Sequence, residues 1–80
     1  MQLWIGNFAP GTTDDELREL VGKYTKLAVS RVRREDGDGS QPGAALEFDE
    51  ATRAELHEAE RRLNGMFWKD RTLRVYLPLG

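Results

Sequence analysis

Along this chain the hydrophobic period changes in the order two, 3.6, two, two, 3.6, two. No other feature limits the fold as tightly, because strands bury alternate residues and helices bury one stripe. In "LWIGNF", residues 3–8, Leu3 and Ile5 fall on one face and Trp4 and Gly6 on the other. "APGTTDDELREL" then opens a helix. Thr13 and Glu16 have capping-box spacing, and Asp14 and Asp15 suit the positive helix end. Leu17, Leu20, Val21 and Tyr24 form its expected apolar stripe.

Residues 26–34, "KLAVSRVRR", are strand-rich, and "EDGDGSQPG" is a turn by composition. "AALEFD" predicts a strand with Ala44, Leu46 and Phe48 inward. Asp49 is the expected cap of a second helix, "EATRAELHEAERRLNG", with Leu56, Ala59 and Leu63 as its inner stripe and Asn64-Gly65 as its stop. A loop, "MFWKDR", leads to a last strand, "TLRVYLP", with Leu73, Val75 and Leu77 inward. The order β-α-β-β-α-β is the ferredoxin-like split arrangement. It predicts an α+β sandwich: a four-stranded antiparallel sheet, two helices on one face, the other face open. Residues 1–80 are expected to form one small domain.

Composition removes several functions. The chain has no cysteine, hence no disulfide framework and no thiolate chemistry. Its one histidine, His57, lies between Leu56 and Glu58 with no cysteine or second histidine to complete a metal site, and reads as a surface residue. No Ser/His/Asp or Cys/His set and no phosphate-cradling glycine loop is found, so an enzyme is not expected. Residues 36–47 imitate a calcium loop through Asp36, Asp38, Ser40 and Glu47. Gln41 and Pro42 occupy the place of its sharp glycine turn, so no metal and no cofactor are expected. With neither an apolar run of membrane length nor a leader, an intracellular, cytoplasmic domain off the membrane is expected. The net charge of −2 argues against a surface that grips phosphates everywhere, though not against a local basic face.

Three segments resemble the RNA recognition motif (RRM) family. "LWIGNF" is similar to the family's shorter RNP signature on the first strand. "TTDDELRELVGKYTKL" resembles its first helix and exit, with Tyr24 where the family has an aromatic. "LNGMFWKDRTLRV", residues 63–75, resembles the segment from the second helix to the fourth strand, with Asp70 in place of a usual glycine. The resemblance covers essentially the whole chain and implies single-stranded RNA as partner, held on the open sheet.

The family's longer RNP signature is degenerate here. Aligned on Phe48, the chain offers "QPGAALEF", residues 41–48: Gly43 and Ala45 take the two outward aromatic places, and Gln41 the basic one. Of three stacking aromatics only Trp4 remains. Base stacking contributes about 1–3 kcal/mol per base, so the loss is roughly 2–6 kcal/mol. By alternation, Arg31, Arg33, Arg74 and Tyr76 share the open face with Gln2, Glu47 and Val29, and the family's strand order sets Tyr76 beside Trp4. The RNA-binding set expected is therefore Trp4, Arg31, Arg33, Arg74, Tyr76, Gln2 and Gln41, with weak, salt-sensitive affinity. The alternative for Trp4 is packing, flat across Gly43 and Ala45.

A second function stands beside this one: a protein-interaction module, either a homodimer through the flattened sheet or a peptide binder through Met66, Phe67 and Trp68. In this reading Trp68 tucks under the fold, and Phe67 points out beside Met66. A peptide-binding variant of the family uses this loop with an Arg-x-Phe motif and an acidic first helix. Asp14, Asp15, Glu16 and Glu19 match the helix, but Met66 stands where that variant has Arg and Trp68 where it has Phe.

Overall fold

Two capping boxes start the two helices. The structure is a computed structural model that describes residues 1–34 and 43–78. Strand β1 (Gln2–Gly6) is followed by helix α1 (Asp14–Tyr24), β2 (Arg31–Arg34), β3 (Gly43–Glu47), α2 (Arg53–Leu63), β4 (Phe67–Trp68), β5 (Arg71–Thr72) and β6 (Arg74–Tyr76). At α1 the Glu16 amide donates to Thr13 Oγ1 (3.1 Å) and the Thr13 amide to Glu16 Oε1 (2.9 Å). This satisfies two of the amides that every helix start leaves unpaired.

Helix α2 repeats the device with Thr52 and Glu55. The expected cap, Asp49, lies too early in the chain. The residues after β3 turn the backbone from sheet to helix, and the Asp49 amide is held by Ser30 Oγ at 3.0 Å. Asn64 ends α2, and Gly65 supplies the left-handed φ of 84° that redirects the chain.

Four strands form an antiparallel sheet in the order β2-β3-β1-β6, with both helices on one face: the ferredoxin-like sandwich. The pleat of β1 sends Leu3 and Ile5 inward, both fully buried. They meet Leu17, Leu20 and Val21 of α1, Leu56, Ala59 and Leu63 of α2, Ala44, Leu46 and Val75 of the other strands, and Leu73 between β5 and β6. Phe8 and Phe48, just beyond their strands, complete this core.

Several expectations are corrected. Tyr24 is 39% exposed, because α1 ends there and Leu27 of the following segment packs on the core instead. The stretch 26–34 is strand only from Arg31, so Val29 escapes the alternation and packs against the core rather than standing on the open face. The "MFWKDR" loop is a hairpin, β4 paired with β5. Its two turn residues, Lys69 and Asp70, both have left-handed φ, 51° and 64°. Lys69 pairs with Glu16, tying hairpin to helix. The Lys69 ammonium, then the Thr13 amide, hold the Glu16 carboxyl below its ordinary value. The turn-and-calcium segment, including Asp36, Asp38, Ser40 and Gln41, lies outside the described residues. Among the described residues no helix is long and apolar enough to cross a membrane.

The outer side of β6 is closed by α2 and the turn after it. The Leu73 amide donates to the Met66 carbonyl (2.8 Å), the Val75 amide to Asn64 Oδ1 (3.0 Å) and the Leu77 amide to Glu60 Oε2 (2.8 Å). Among the described residues, no helix covers the opposite sheet face.

Two substitutions test these local assignments. Thr52→Ala should lower stability by about 1 kcal/mol, whereas Asp49→Ala should change it by less than about 0.5 kcal/mol, read by urea denaturation. Asp70→Gly should raise stability by up to about 1 kcal/mol, because glycine accepts the positive φ of a two-residue hairpin turn without steric cost.

Candidate nucleic-acid interface

The open face is a grid set by strand register. Arg31, Glu47 and Gln2 make one row; Arg33, Ala45, Trp4 and Tyr76 the next; Gly43, Gly6 and Arg74 the third. Sequence alternation brings these residues together as expected, except for Val29 and for Gln41, which is not among the described residues.

Trp4 and Tyr76 are stacked, with ring centroids 5.0 Å apart and planes at 30°. That spacing is within the favourable range for an offset aromatic pair. The six-membered ring of the indole lies over Gly6. A Cβ on Gly6 would stand 2.0 Å from Trp4 Cη2 and 2.5 Å from Cζ3. Gly6 is therefore the seat of the indole, and only a residue without a side chain fits under it. The packing alternative for Trp4 thus takes a different form from the one expected. The ring rests on Gly6, two residues along its own strand, rather than across Gly43 and Ala45. Tyr76 remains 49% exposed.

Arginines flank this pair. Arg31 and Arg74 are exposed. Arg33 is braced: its Nη1 donates to Glu47 Oε2 and its Nη2 to Gln2 Oε1, each at 3.3 Å. Glu47 lies opposite Arg31 in register, yet its carboxylate pairs with Arg33. Arg34 points to the other face, where it donates to the Thr12 carbonyl (2.9 Å) and Asp14 (3.1 Å) and lies 5.2 Å from the Phe8 ring centroid. Among the described residues three arginines thus face one glutamate on the open sheet, a locally cationic surface on an acidic chain. The brace on Arg33 and the glycine seat at Gly6 were not visible in the sequence. The alternation gave the face of each residue but not the direction in which a long side chain leans.

Beyond the sheet, Phe67 is 70% exposed on β4. Trp68 is half-buried against the core, with Lys69 Nζ 5.1 Å from its ring centroid. Met66 also packs on the core, which corrects its expected exposure beside Phe67. His57 is exposed and faces Glu60 at 3.7 Å. Among the described residues no group of three or more His, Asp or Glu is arranged to hold a metal.

A helix-backed sheet with a cationic, aromatic outer face is the build of a single-strand nucleic-acid module. The sequence profile of the RNA recognition motif family matches residues 3–74, and the chain belongs to that family. No curated protein sequence matches it. Among solved structures it is similar to the N-terminal three RNA binding domains of the yeast splicing factor Prp24, with a TM-score of 0.82 and 18% identity. That match covers 99% of this chain and 33% of the Prp24 chain, so this chain spans a third of that relative. It is similar to the Rna15 RRM with bound RNA (GU), at TM-score 0.74 and 17% identity, over 99% of this chain and 83% of that one. It is also similar to the C. elegans NONO-1 homodimer, at TM-score 0.74 and 24% identity, over 98% of this chain and 28% of that one. At such identities the likeness is one of fold.

Gly6→Ala tests the seat of the indole. It should push Trp4 off the strand and break its stack with Tyr76 while the core stays intact. The expected signs are a downfield move of the Tyr76 ring protons and a stability loss of about 0.5–1.5 kcal/mol, the value of one aromatic pair.

Proposed function

We propose that this domain binds single-stranded RNA on its open sheet face. The observation that carries the reading is the Trp4–Tyr76 stack on the solvent side of the sheet, flanked by the exposed Arg31 and Arg74. Aromatic faces take bases of any identity, and arginines meet the phosphates between them. Gly43 and Ala45, in place of the family's two outward aromatics, leave the centre of the face flat. Binding is accordingly weak and little selective, with roughly 2–6 kcal/mol absent relative to a face with three platforms. The likeness to an RRM solved with RNA supports the reading at the level of fold.

A second reading rests on Phe67, whose 70% exposure on the β4–β5 hairpin suits a contact with another protein. The two readings respond differently to salt. RNA held by two or three phosphate contacts loses affinity with a log–log slope of about −1.5 to −2, whereas an apolar contact through Phe67 barely responds.

The test is fluorescence anisotropy of a labelled, mixed-sequence single-stranded RNA at rising salt. Trp4→Ala should weaken binding by about 1–3 kcal/mol, Trp4→Phe should restore most of the loss, and Phe67→Ala should leave the affinity unchanged. Undiminished affinity in Trp4→Ala removes the stacking role.

A further inference from the structure

The two rings of the open face are not equivalent. Trp4 bends along its own strand, so that the six-membered end of the indole lies over Gly6. The sheet backbone therefore covers one face of that ring. Tyr76 is the cross-strand partner of Trp4, and its ring stands 5.0 Å away with the planes at 30°. Rings lying side by side in one plane are kept further apart than this by their edge hydrogens, so the tyrosine overlaps the indole as an offset stack. With backbone on one side of the indole, the overlap falls on its solvent side. Trp4 is accordingly only half-buried to partly open, whereas Tyr76 keeps 49% of its surface exposed. A base that stacks needs an open ring face. On this sheet that face belongs to the outer side of Tyr76.

Its neighbour along β6 completes the contact. Arg74 and Tyr76 are two residues apart on one strand, so their side chains leave the same face of the sheet about 7 Å apart. That span is on the scale of one nucleotide, from base to phosphate. Arg74 stands opposite Gly6 in register, at the end towards which the indole leans. It is exposed, and no acid among the described residues pairs with it. Val75 between the two is buried, and its amide is held by Asn64 Oδ1 at 3.0 Å, so the backbone that carries both side chains is fixed.

We propose that one nucleotide is held on β6, its base stacked on the outer face of Tyr76 and its phosphate at Arg74, and that Trp4 is a positioning residue that props the tyrosine from beneath. The inference rests on RNA binding by the open face and names the ring that meets a base there. Trp4, the stacking aromatic that the family resemblance implies, becomes the support. The contact accepts any base, because stacking does not read the hydrogen-bonding edge.

The test locates the contact directly. The full chain is irradiated with a short single-stranded RNA carrying 5-iodouridine, whose photolysis joins the base to an aromatic ring stacked on it. Mass spectrometry then identifies the joined residue. A cross-link at Tyr76 is expected. In Trp4→Ala the link stays at Tyr76 and its yield falls, because the ring has lost its support.

Affinity for the same RNA is read at several salt concentrations, with thermal melts showing that each variant is folded. Tyr76→Phe, which keeps the ring, should stay within about twofold of wild type, and Tyr76→Leu should lose about tenfold at an unchanged salt slope. Arg74→Ala should make that slope shallower by about 0.7. A wild-type cross-link at Trp4, or wild-type affinity in Tyr76→Leu, overturns the site on β6 while leaving RNA binding in place. Absence of any salt-dependent binding by the wild type overturns both.

Discussion

Strand β1 is hydrogen-bonded on both sides, to β3 and to β6, and its pleat divides the molecule into what is kept and what is shown. Leu3 and Ile5 anchor the core against both helices; Trp4 and Gly6 face outward. A shift of one residue in this register would expose the first pair and bury an indole where leucine and isoleucine now pack. Each neighbouring strand takes its inward and outward sets from this one, so the grid of the open face follows from it row by row.

That grid explains how a face stripped of two aromatics still has order. Gly6 lets the indole lie against the backbone, and this contact fixes the ring in place while Tyr76 closes on its side. Arg33 is fixed by a different means, through hydrogen bonds to Glu47 and Gln2. Both devices restrain side chains that would otherwise sample several rotamers. A restrained surface loses less conformational entropy when a partner settles on it. On the proposed RNA-binding reading, shape and preorganisation offset part of what the small residues Gly43 and Ala45 remove.

The fold was legible in the sequence because its signals are local and periodic. Alternation in residues 3–6 and 44–48, helical stripes, and the Thr13–Glu16 box each arise within a few residues. Errors came where tertiary contacts decide. Asp49 is as good a cap as Thr52 by residue type, but only Thr52 has a glutamate three residues on and follows the turn out of the sheet. Val29 matches the outward parity of Arg31, yet the strand begins after it. Lys69 and Asp70 carry no strong turn signature, and the hairpin they close is set by the pairing of Phe67 with Thr72 and Trp68 with Arg71. At the candidate site, composition and parity gave the members of the face. The stack, the glycine seat and the brace on Arg33 depend on side-chain lean and could not be read from parity.

The closed side of β6 bears on how the molecule meets others of its kind. A strand at the rim of a sheet ordinarily offers a ladder of amides on which a foreign chain can grow. Here the amides of Leu73, Val75 and Leu77 are engaged by Met66, Asn64 and Glu60. Helix α2 therefore acts as a selvedge as well as a cover for the core. It finishes the cloth on that side, so that an extended peptide arriving along β6 meets the amides of Leu73, Val75 and Leu77 already engaged.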